Sequence, residues 1–577
     1  MGNFGARTYA RRSVVAFVTG LLLVGGAWAG VGLSPTGSSG GLDLPALPKA
    51  SQAAVAAAEA IGTAGTFVAG EQLPPGQFLV GADVTSIVPK TKAEGGPWQT
   101  EGCAEYDNEN FGSGVEHLAG NLANLPDPPG WPKTPDCIYL GGYGIGPARA
   151  ATSADTNAGV NVRTLAVSNG RDVAVWQMID MVGYFNKYRA DLCDGCGILD
   201  MRRTIAQGAG IPEDNVAIGS THTHGGADGY GAWGGMPNWY REFVRDQVLA
   251  GARQALASMK PAAIQVGQVD AREFNSERRD LYYSTPDYGA VWLQAVSLPQ
   301  DGAASQPIAT LVNFAAHATF LDDQPVMHGD WPATAAKRLG DVFGGTGFIF
   351  QGGLGNVSER SPKRAETDLT GDGTIDDYDQ VIQGGNLFAD FVAADIRRGG
   401  TVLDANDIVA KTETIEHPVT NWAEAALGVA GLLDREFLPG EAAGVAGTWA
   451  ATGKPGGSPA RSCVAAAPNT VKTQVSGYRI GDLTVITAPG EIFSNVSEVV
   501  KSYARRNAVI GGQTMVFGQT QDSVGYIIQS FEADPIGGAL TNAPGKNAEY
   551  EETFMIDRCF GDNVIQTQLR VASLLNK

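Results

Sequence analysis

Two histidines separated by one residue, His222 and His224, follow a short apolar segment and are the first candidates for chemistry. They lie in the stretch 215–230, which reads NVAIGSTHTHGGADGY, and the whole chain has six histidines. In an extended segment, residues two apart point to the same side, so both imidazoles would reach one cavity. Neutral imidazole is the commonest metal ligand and a frequent proton shuttle near pH 7. The pair therefore indicates a metal or acid–base site, and the alternative is two surface-loop histidines held by hydrogen bonds.

Other polar residues stand after strand-like apolar segments in the same way. The segments are 308–316, 347–351, 484–488 and 513–518, and the residues that follow them are His317, Ser358, Glu491 and Tyr526. In open α/β sheets, sites assemble in the crevice beyond the carboxyl ends of the strands. Two imidazoles, a carboxylate and a phenol oxygen are suited to a zinc shell with one position open for water or substrate. The alternatives are a buried capping serine at Ser358 and a core-packed Tyr526.

The elements that would position these residues belong to a mixed α/β fold. Apolar segments bounded by turn residues predict strands over 78–87, 264–269, 291–298 and 308–314, and a strand pair within 164–178 joined at Asn169-Gly170. Helical periodicity covers 238–259. The Gly-, Ala- and Pro-rich stretch 427–467 reads as a long surface insertion, with a lid over a lipid-binding cleft as the alternative. We expect a large sheet-based catalytic domain with long insertions and a metal site at the carboxyl ends of its strands.

Composition describes a globular, acidic protein. The 577 residues carry a net charge of −20, which argues against a nucleic-acid surface because such a surface needs a basic patch. Residues 30–66 are rich in Ala, Gly, Ser and Pro and read as a linker. The hydrolase domain is expected over 67–577, and no later segment is long and apolar enough to span a bilayer.

The first residues, 1–29, predict an export signal. Arg11 and Arg12 precede an apolar run over 14–24, and Ala27-Trp28-Ala29 fits the small-x-small cleavage rule. An uncleaved anchor is the alternative, and both general and twin-arginine export stay open. We therefore expect a secreted or extracytoplasmic protein.

Six cysteines are consistent with three disulfides in an oxidising compartment. Pairing by proximity would give Cys103–Cys137, Cys193–Cys196 and Cys463–Cys559, although the sequence does not prove this connectivity. Cys193 and Cys196 form a CxxC, but a zinc knuckle would need a second such pair.

A twelve-residue stretch, 368–379, matches a calcium-binding loop. Acidic or hydroxyl side chains fall at positions 1, 3, 5, 9 and 12, glycine falls at 6, and Ile375 at position 8 is expected to face the core. The expected calcium ligands are Asp368, Thr370, Asp372, Thr374, Asp376 and Asp379. Aspartate at position 12 resembles the dockerin version of the loop. Because a dockerin carries two loops and this chain has one in mid-chain, we expect a structural ion.

Taken in order, the motifs resemble those of the neutral, non-lysosomal ceramidases, zinc-dependent amidases that split ceramide into sphingosine and a fatty acid. The family's Thr-His-Thr-His-Ser-Gly is similar to 221–226, and its Phe-x-x-His-x-Thr to 314–319. Its Gly-Asp-Val-Ser, Pro-Gly-Glu and late Tyr-Ile are similar to 355–358, 489–491 and 526–527. All five occur in family order between about residue 67 and the end of the chain. The ordered set is far more specific than any single motif.

The resemblance implies a role for each matched residue. His222, His317, Glu491 and Tyr526 would hold zinc, Ser358 would occupy the catalytic serine position, and His224 would act beside the metal in hydrogen bonding or proton transfer. Further candidates for contact with the substrate or support of the ligands are Arg278, Arg279 and Asp330. Whether serine or water attacks stays open.

Several residues depart from the family pattern. Gly225 and Ala227 replace serine and proline after the histidine pair, Asp228 adds an acid, and the calcium loop follows Ser358 by ten residues. The family's C-terminal immunoglobulin-like domain is expected to be absent. These departures leave the predicted metal shell intact.

The resemblance implies an exported zinc amidase acting on ceramide-like N-acyl amides, with Zn²⁺ for catalysis and Ca²⁺ for structure. One alternative is a zinc hydrolase on the same scaffold that cleaves another amide or an ester. The other is a calcium-stabilised extracellular binding protein without catalysis.

Overall fold

The computed structural model describes residues 70–104, 134–143, 148–279, 284–299, 304–322, 324–421, 424, 428, 433–439, 469–506, 512–533 and 550–576. The expected export signal (1–29) and linker (30–66) lie outside the described residues, as do Cys463 and most of the insertion 427–467.

The described residues form strands and helices that alternate along the chain. The strands are β1 (Phe78–Ser86), β2 (Ser153–Ala154), β3 (Asn161–Ser168), β4 (Val173–Ile179), β5 (Val216–Ser220), β6 (Lys260–Asp270), β7 (Asn275–Glu277), β8 (Gly289–Ser297), β9 (Pro307–Phe314), β10 (Val326–Met327), β11 (Thr346–Gln351), β12 (Val357–Glu359), β13 (Thr401–Val402), β14 (Ile408–Pro418), β15 (Leu438–Pro439), β16 (Asn469–Ile480), β17 (Leu483–Thr487), β18 (Glu491–Ile492), β19 (Thr514–Phe517) and β20 (Tyr526–Ile527). The helices are α1 (Ile198–Ala209), α2 (Asn238–Ala257), α3 (Asp330–Phe343), α4 (Asp377–Ile396), α5 (Ser494–Arg506) and α6 (Phe560–Leu574).

Two mixed sheets form the centre of the described fold. The larger has the strand order β11-β9-β8-β6-β1-β3-β4-β5, with β13 also paired to β6. The smaller has the order β14-β16-β17-β19, with β15 also paired to β16. The pairs β4/β5, β9/β11 and β17/β19 are parallel, and each is joined by a crossover that contains a helix (α1, α3 and α5). This arrangement fits the rule that parallel neighbours need a helical crossover.

The sheets pack face to face, and helices cover their outer faces. Phe78 and Val80 of β1 share one apolar cluster with Tyr478 and Phe517 of the smaller sheet. Leu79, which points to the opposite face, belongs to the cluster that includes α1 and α2. Helices α3 and α4 extend that outer layer, and α5 and α6 cover the smaller sheet. The layers therefore run helix, sheet, sheet, helix, and strands buried on both faces read as continuous apolar runs.

The predicted elements agree with the structure. The α/β class is confirmed, the hairpin β3–β4 occupies 161–179, and β1, β6, β8 and β9 correspond to the other four predicted strands. Helix α2 begins after Pro237 and ends at Ala257, two residues before the predicted end. Its buried residues Tyr240, Val244 and Val248 face the sheet, as the helical period requires.

Two predicted disulfides are present, Cys103–Cys137 and Cys193–Cys196. Cys559 is also disulfide-bonded. Among the described helices, none combines the length and the apolar character needed to cross a bilayer.

Candidate metal centre

The loops that carry the candidate ligands meet where the two sheets join. His222 follows β5, His317 follows β9, and Glu491 begins β18 just after β17. The junction is closed by hydrogen bonds between the sheets: the Gly518 N–H donates to the Gln351 carbonyl at 2.9 Å, and Asn313 Nδ2 donates to the Val516 carbonyl at 2.9 Å. Parallel pairs from both sheets therefore direct their carboxyl ends to one place, as expected for an α/β site.

Three side chains converge there. His222 Nε2 and His317 Nε2 lie 3.2 and 3.4 Å from Glu491 Oε2, and the three ligand atoms all lie within 4.8 Å of one another. All three residues are buried. Two ligands of a tetrahedral zinc ion are about 3.3 Å apart, given zinc–ligand bonds of about 2.0–2.1 Å. The spacing fits one small metal ion.

Two of the three buried ligand atoms lack hydrogen-bond partners among the described residues. Neither His317 Nε2 nor Glu491 Oε2 has a partner among the described residues. An unpaired buried polar atom is costly unless another group, such as a metal ion, satisfies it. The donor set therefore fits a bound cation.

Backbone carbonyls orient both imidazoles. His222 Nδ1 lies 2.5 Å from the Val182 carbonyl oxygen, and His317 Nδ1 lies 2.9 Å from that of Val357. An Nδ1–H that donates to a carbonyl places the free lone pair on Nε2, which is the usual arrangement around a metal-binding histidine.

His222 is not extended, contrary to the geometry assumed from the sequence. Its φ of 58° places it in the left-handed region, where residues other than glycine are uncommon. The two imidazoles of the Thr-His-Thr-His stretch nevertheless approach, with ring centroids 5.0 Å apart between His222 and His224. The sequence therefore predicted correctly that the two imidazoles lie close together, although the extended backbone assumed for that prediction is wrong.

The charges of the site favour metal binding. Burial, together with the charge of Arg278, lowers the pKa of His317 to about 4, so its imidazole is neutral near pH 7. Burial raises the pKa of Glu491, but His222 and His317 outweigh it and hold that pKa well below its usual value. A neutral imidazole, as at His317, and a carboxylate, as at Glu491, are the protonation states in which these residue types bind a metal.

Tyr526 lies beside Glu491. The short parallel pair β18/β20 places Glu491 directly opposite Tyr526, and Tyr526 is buried. Both side chains line the same cavity as His222. Tyr526 is therefore adjacent to Glu491, and its predicted role as the fourth ligand remains a prediction.

An apolar cavity opens beside the three ligands. It encloses about 790 Å³, including the part open to solvent. Its lining is mostly aromatic and aliphatic and includes Phe185, Tyr230, Trp233, Leu433, Phe554 and Ile556. A space of this size and character suits a small, largely apolar ligand or part of a chain.

His224 faces this cavity with both ring nitrogens buried and without partners among the described residues. The ring of Tyr143 lies 4.6 Å from it, centroid to centroid. Burial and the nearby His222 lower the pKa of His224 well below its usual value. A neutral imidazole without protein partners can accept a proton from a molecule in the cavity.

Asp228, one of the departures from the family pattern, organises the cavity wall. Its Oδ1 accepts hydrogen bonds from the N–H groups of Tyr230 and Gly231, both at 2.9 Å. Its Oδ2 accepts from those of Trp233 and Gly235, at 2.6 and 2.9 Å. The acid therefore folds the loop that places Tyr230 and Trp233 in the cavity.

Gly225, another departure, makes room for a histidine. A Cβ at this position would lie 2.1 Å from Nε2 of His328, which is too close for any side chain. His328 Nε2 in turn lies 2.6 Å from the Leu321 carbonyl oxygen. The imidazole of His328 fills the space into which a serine side chain would project.

Ser358 lies in the chain segment that orients His317. It belongs to β12, opposite Ser276 of β7, and is partly buried. Its neighbour Val357 supplies the carbonyl that orients His317. Ser358 does not line the cavity described above. Its catalytic role remains a prediction.

The two candidate arginines both form an ion pair with Glu551 but differ in their other contacts. Arg279 is buried, forms ion pairs with Glu551 and Glu552 at 3.2 and 2.9 Å, and stacks over Phe493. Arg278 donates to the Gly355 carbonyl at 2.6 Å, and its charge acts on His317. Of the two, Arg278 is therefore the better candidate to influence the site.

Asp330 supports the His317 loop from the first turn of α3. Its carboxylate accepts hydrogen bonds from the N–H groups of Leu321 and Trp331, at 3.0 and 2.6 Å. The Trp331 indole donates to the His317 carbonyl at 2.8 Å. Asp330 therefore acts on His317 through its neighbours.

The predicted calcium loop, 368–379, leads directly into α4. Asp368 accepts from the N–H groups of Gly371 and Gly373 at 2.5 and 2.8 Å, and α4 begins at Asp377, position 10 of the loop. Gly373 has a φ of 94°, as its sharp turn requires. Ile375 is 54% exposed, so its predicted place in the core was wrong. The loop is on the surface, and no described element covers this position.

Comparisons with known proteins give a likeness of fold. No family model matches the chain, and no curated protein sequence matches it. The structure of a neutral ceramidase from Pseudomonas aeruginosa matches with 14% identity and a TM-score of 0.52, covering 88% of this chain and 74% of that one. A ceramidase complexed with C2 matches with 14% identity and a TM-score of 0.55, covering 87% and 75%. The ceramidase-like fold predicted from the motifs is confirmed.

Proposed function

We propose that this protein is an exported, zinc-dependent amidase that hydrolyses the N-acyl bond of ceramide-like lipids. The observation that carries the proposal is the buried group His222, His317 and Glu491 at the end of an apolar cavity. The likeness of fold to two ceramidase structures supports the same chemistry.

His222, His317 and Glu491 would bind the ion, with Tyr526 as the fourth ligand. A zinc ion held there would polarise the amide carbonyl and acidify water. The apolar wall around Trp233 and Phe554 would take a hydrocarbon chain and exclude water from the scissile bond.

His224 would carry the proton. Its neutral imidazole, unpaired within the described protein, can accept a proton from the attacking group and give it to the leaving amine. Ser358, on the loop that orients His317, is proposed either to attack the carbonyl or to orient the group that does.

The remaining proposals concern location and stability. Disulfides such as Cys103–Cys137 support folding in an oxidising compartment, consistent with export.

The loop 368–379 is proposed to bind one structural calcium ion through Asp368, Thr370, Asp372, Thr374, Asp376 and Asp379. The bond from Tyr378 to Asp155 would connect this loop to the rest of the domain.

The experiment is hydrolysis of a fluorescent N-acylsphingosine, with the metal content of the purified protein measured in parallel. We expect turnover that a chelator abolishes and added zinc restores. Turnover of simple esters without turnover of the ceramide analogue would contradict the proposed substrate. Full activity in metal-free protein would contradict the proposed metal.

A further inference from the structure

One wall of the cavity carries a buried carboxyl that the chemistry above does not use. Glu424 is 8% exposed and lines the same cavity as His222, His224 and Glu491. The neighbouring lining is apolar and includes Leu433 and Phe554. A carboxyl in such surroundings is rare unless it is paired.

No described side chain is within hydrogen-bond or ion-pair reach of Glu424. The positive charge of Arg435 lowers the pKa of Glu424, but burial raises that pKa by more. Both terminal nitrogens of Arg435 already donate to Asp522, each at 2.7 Å, and its guanidinium lies over the Phe185 ring. Because Arg435 is committed to Asp522, an ionised Glu424 would be an uncompensated buried charge.

Burial raises the pKa of Glu424 to about 8 in the protein without ligand. The acid is then mostly protonated at neutral pH, which is the usual response of an unpaired buried carboxyl. A cationic group in the cavity would reverse this state, because a paired carboxylate is stable where an unpaired one is not.

We propose that the cavity accepts N-acyl amides carrying a protonated amino group, and that Glu424 pairs with that group and sets this preference. The inference rests on the proposed amidase function and narrows its substrate class, because ceramide itself carries no cation. The apolar wall would hold the hydrocarbon part, and the carboxylate of Glu424 would accept hydrogen bonds from the ammonium.

Binding of two short probes tests the proposal without any need for turnover. Octylammonium and octanol share one chain and differ in charge, and calorimetry at pH 7 gives the affinity of each. We expect the wild-type protein to bind octylammonium at least about tenfold more tightly, as for a charge-assisted hydrogen bond in an apolar site. Glu424→Gln should abolish that preference while leaving octanol binding unchanged.

Glu532→Gln is the matched control. Glu532 is also buried, accepts a hydrogen bond from Asn495 at 2.8 Å, and does not line the cavity. This variant should keep the preference for octylammonium. Equal binding of both probes to the wild type would overturn the proposal. So would a preference that survives in Glu424→Gln, because it would place the cation elsewhere, for instance on the metal ligands.

A hydrolysis experiment separates this inference from the proposed function. The substrates are an N-dodecanoyl diamine with a free terminal amino group and its analogue with a methyl group in place of that amino group. We expect a higher kcat/KM for the amine in the wild type and equal values in Glu424→Gln. If neither amide is cleaved, the amidase proposal fails, and the binding measurements still decide the role of Glu424.

Discussion

At the scale of single residues, the site depends on the direction in which a few nitrogen atoms point. The Val182 and Val357 carbonyls each fix one imidazole so that its Nε2 faces Glu491. Asp228 shapes the cavity through bonds to four backbone N–H groups. None of these partners is itself a metal ligand, yet each determines where a ligand or a wall residue lies.

Removal of a proposed ligand should remove both metal and activity. We expect His222→Ala and Glu491→Ala to lose zinc and to lower kcat/KM by at least about 100-fold, the upper range for loss of a partner outside the metal shell. Elemental analysis and amide hydrolysis give the two quantities. His417→Gln, which changes a buried histidine paired with Asp557, should retain its zinc. Zinc at full stoichiometry in either ligand variant would refute the assignment.

The glycine at position 225 should resist replacement by the serine found in the family motif. Gly225→Ser would force its side chain into the His328 ring, and overpacking of this kind costs about 1–3 kcal/mol of unfolding free energy. Chemical denaturation measures the loss. The double variant Gly225→Ser with His328→Ala should be less destabilised than the sum of the single variants, because each change relieves the other. Strict additivity would show that the two positions do not interact.

At the scale of elements, His222 and His317 stand just beyond strands, and Asp330 lies in the first turn of a helix. Helices α3 and α4 pack against each other and against the sheet through Trp331 and Phe388. The N-terminal end of α3 supports His317, and that of α4 continues the predicted calcium loop. The two helices thus connect the loop 368–379 with one side of the metal centre.

Calcium should stabilise the protein through this loop without affecting zinc. We expect Asp368→Ala to abolish the increase in melting temperature that calcium gives to the wild type, while the zinc content stays unchanged. Asp377→Asn is the control, because Asp377 is exposed and occupies position 10, which is not a ligand position. Differential scanning calorimetry with calcium and with a calcium chelator provides the measurement. If the wild type melts at the same temperature in both, the structural ion is excluded.

At the scale of the whole molecule, the two packed sheets bury many ionisable groups near their junction. Burial raises the pKa of Asp180, and it raises the pKa of Asp228 to about 6, of Glu359 and Glu532 to about 7, and of Asp330 and Glu424 to about 8. Carboxyls in an unfolded chain ionise near about pH 4. Between those values the folded protein binds more protons than the unfolded one, so stability falls as pH rises.

Metal-free protein should therefore melt at a lower temperature at pH 8.5 than at pH 6.5. His317 and His328, with pKa values lowered to about 4, act in the opposite direction, but only below the unfolded histidine pKa of about 6.5. Glu359→Gln should make the decrease shallower, and the exposed Asp377→Asn should leave it unchanged. A melting temperature that rises across this interval would contradict the assigned protonation states.

The sequence by itself determined the class of the fold and the residue types of the site. Alternation and apolar runs gave β1, β3, β4, β6, β8 and β9 because strand periodicity is a local property of the chain. The order of the His, His, Glu and Tyr motifs indicated the ceramidase-like fold. These strand patterns and short motifs can be recognised at low sequence identity to known proteins because each depends on a few neighbouring residues.

Only the tertiary structure decided which distant residues meet and in what surroundings. It placed Arg279 in ion pairs with Glu551 and Glu552, left Ile375 exposed, and gave His222 a left-handed backbone. It also placed Glu424 in the wall of the cavity, a position that no sequence motif near Glu424 predicts. Whether a side chain is buried, and whether its charge is paired, depends on contacts between segments hundreds of residues apart. Local sequence patterns therefore do not predict these properties.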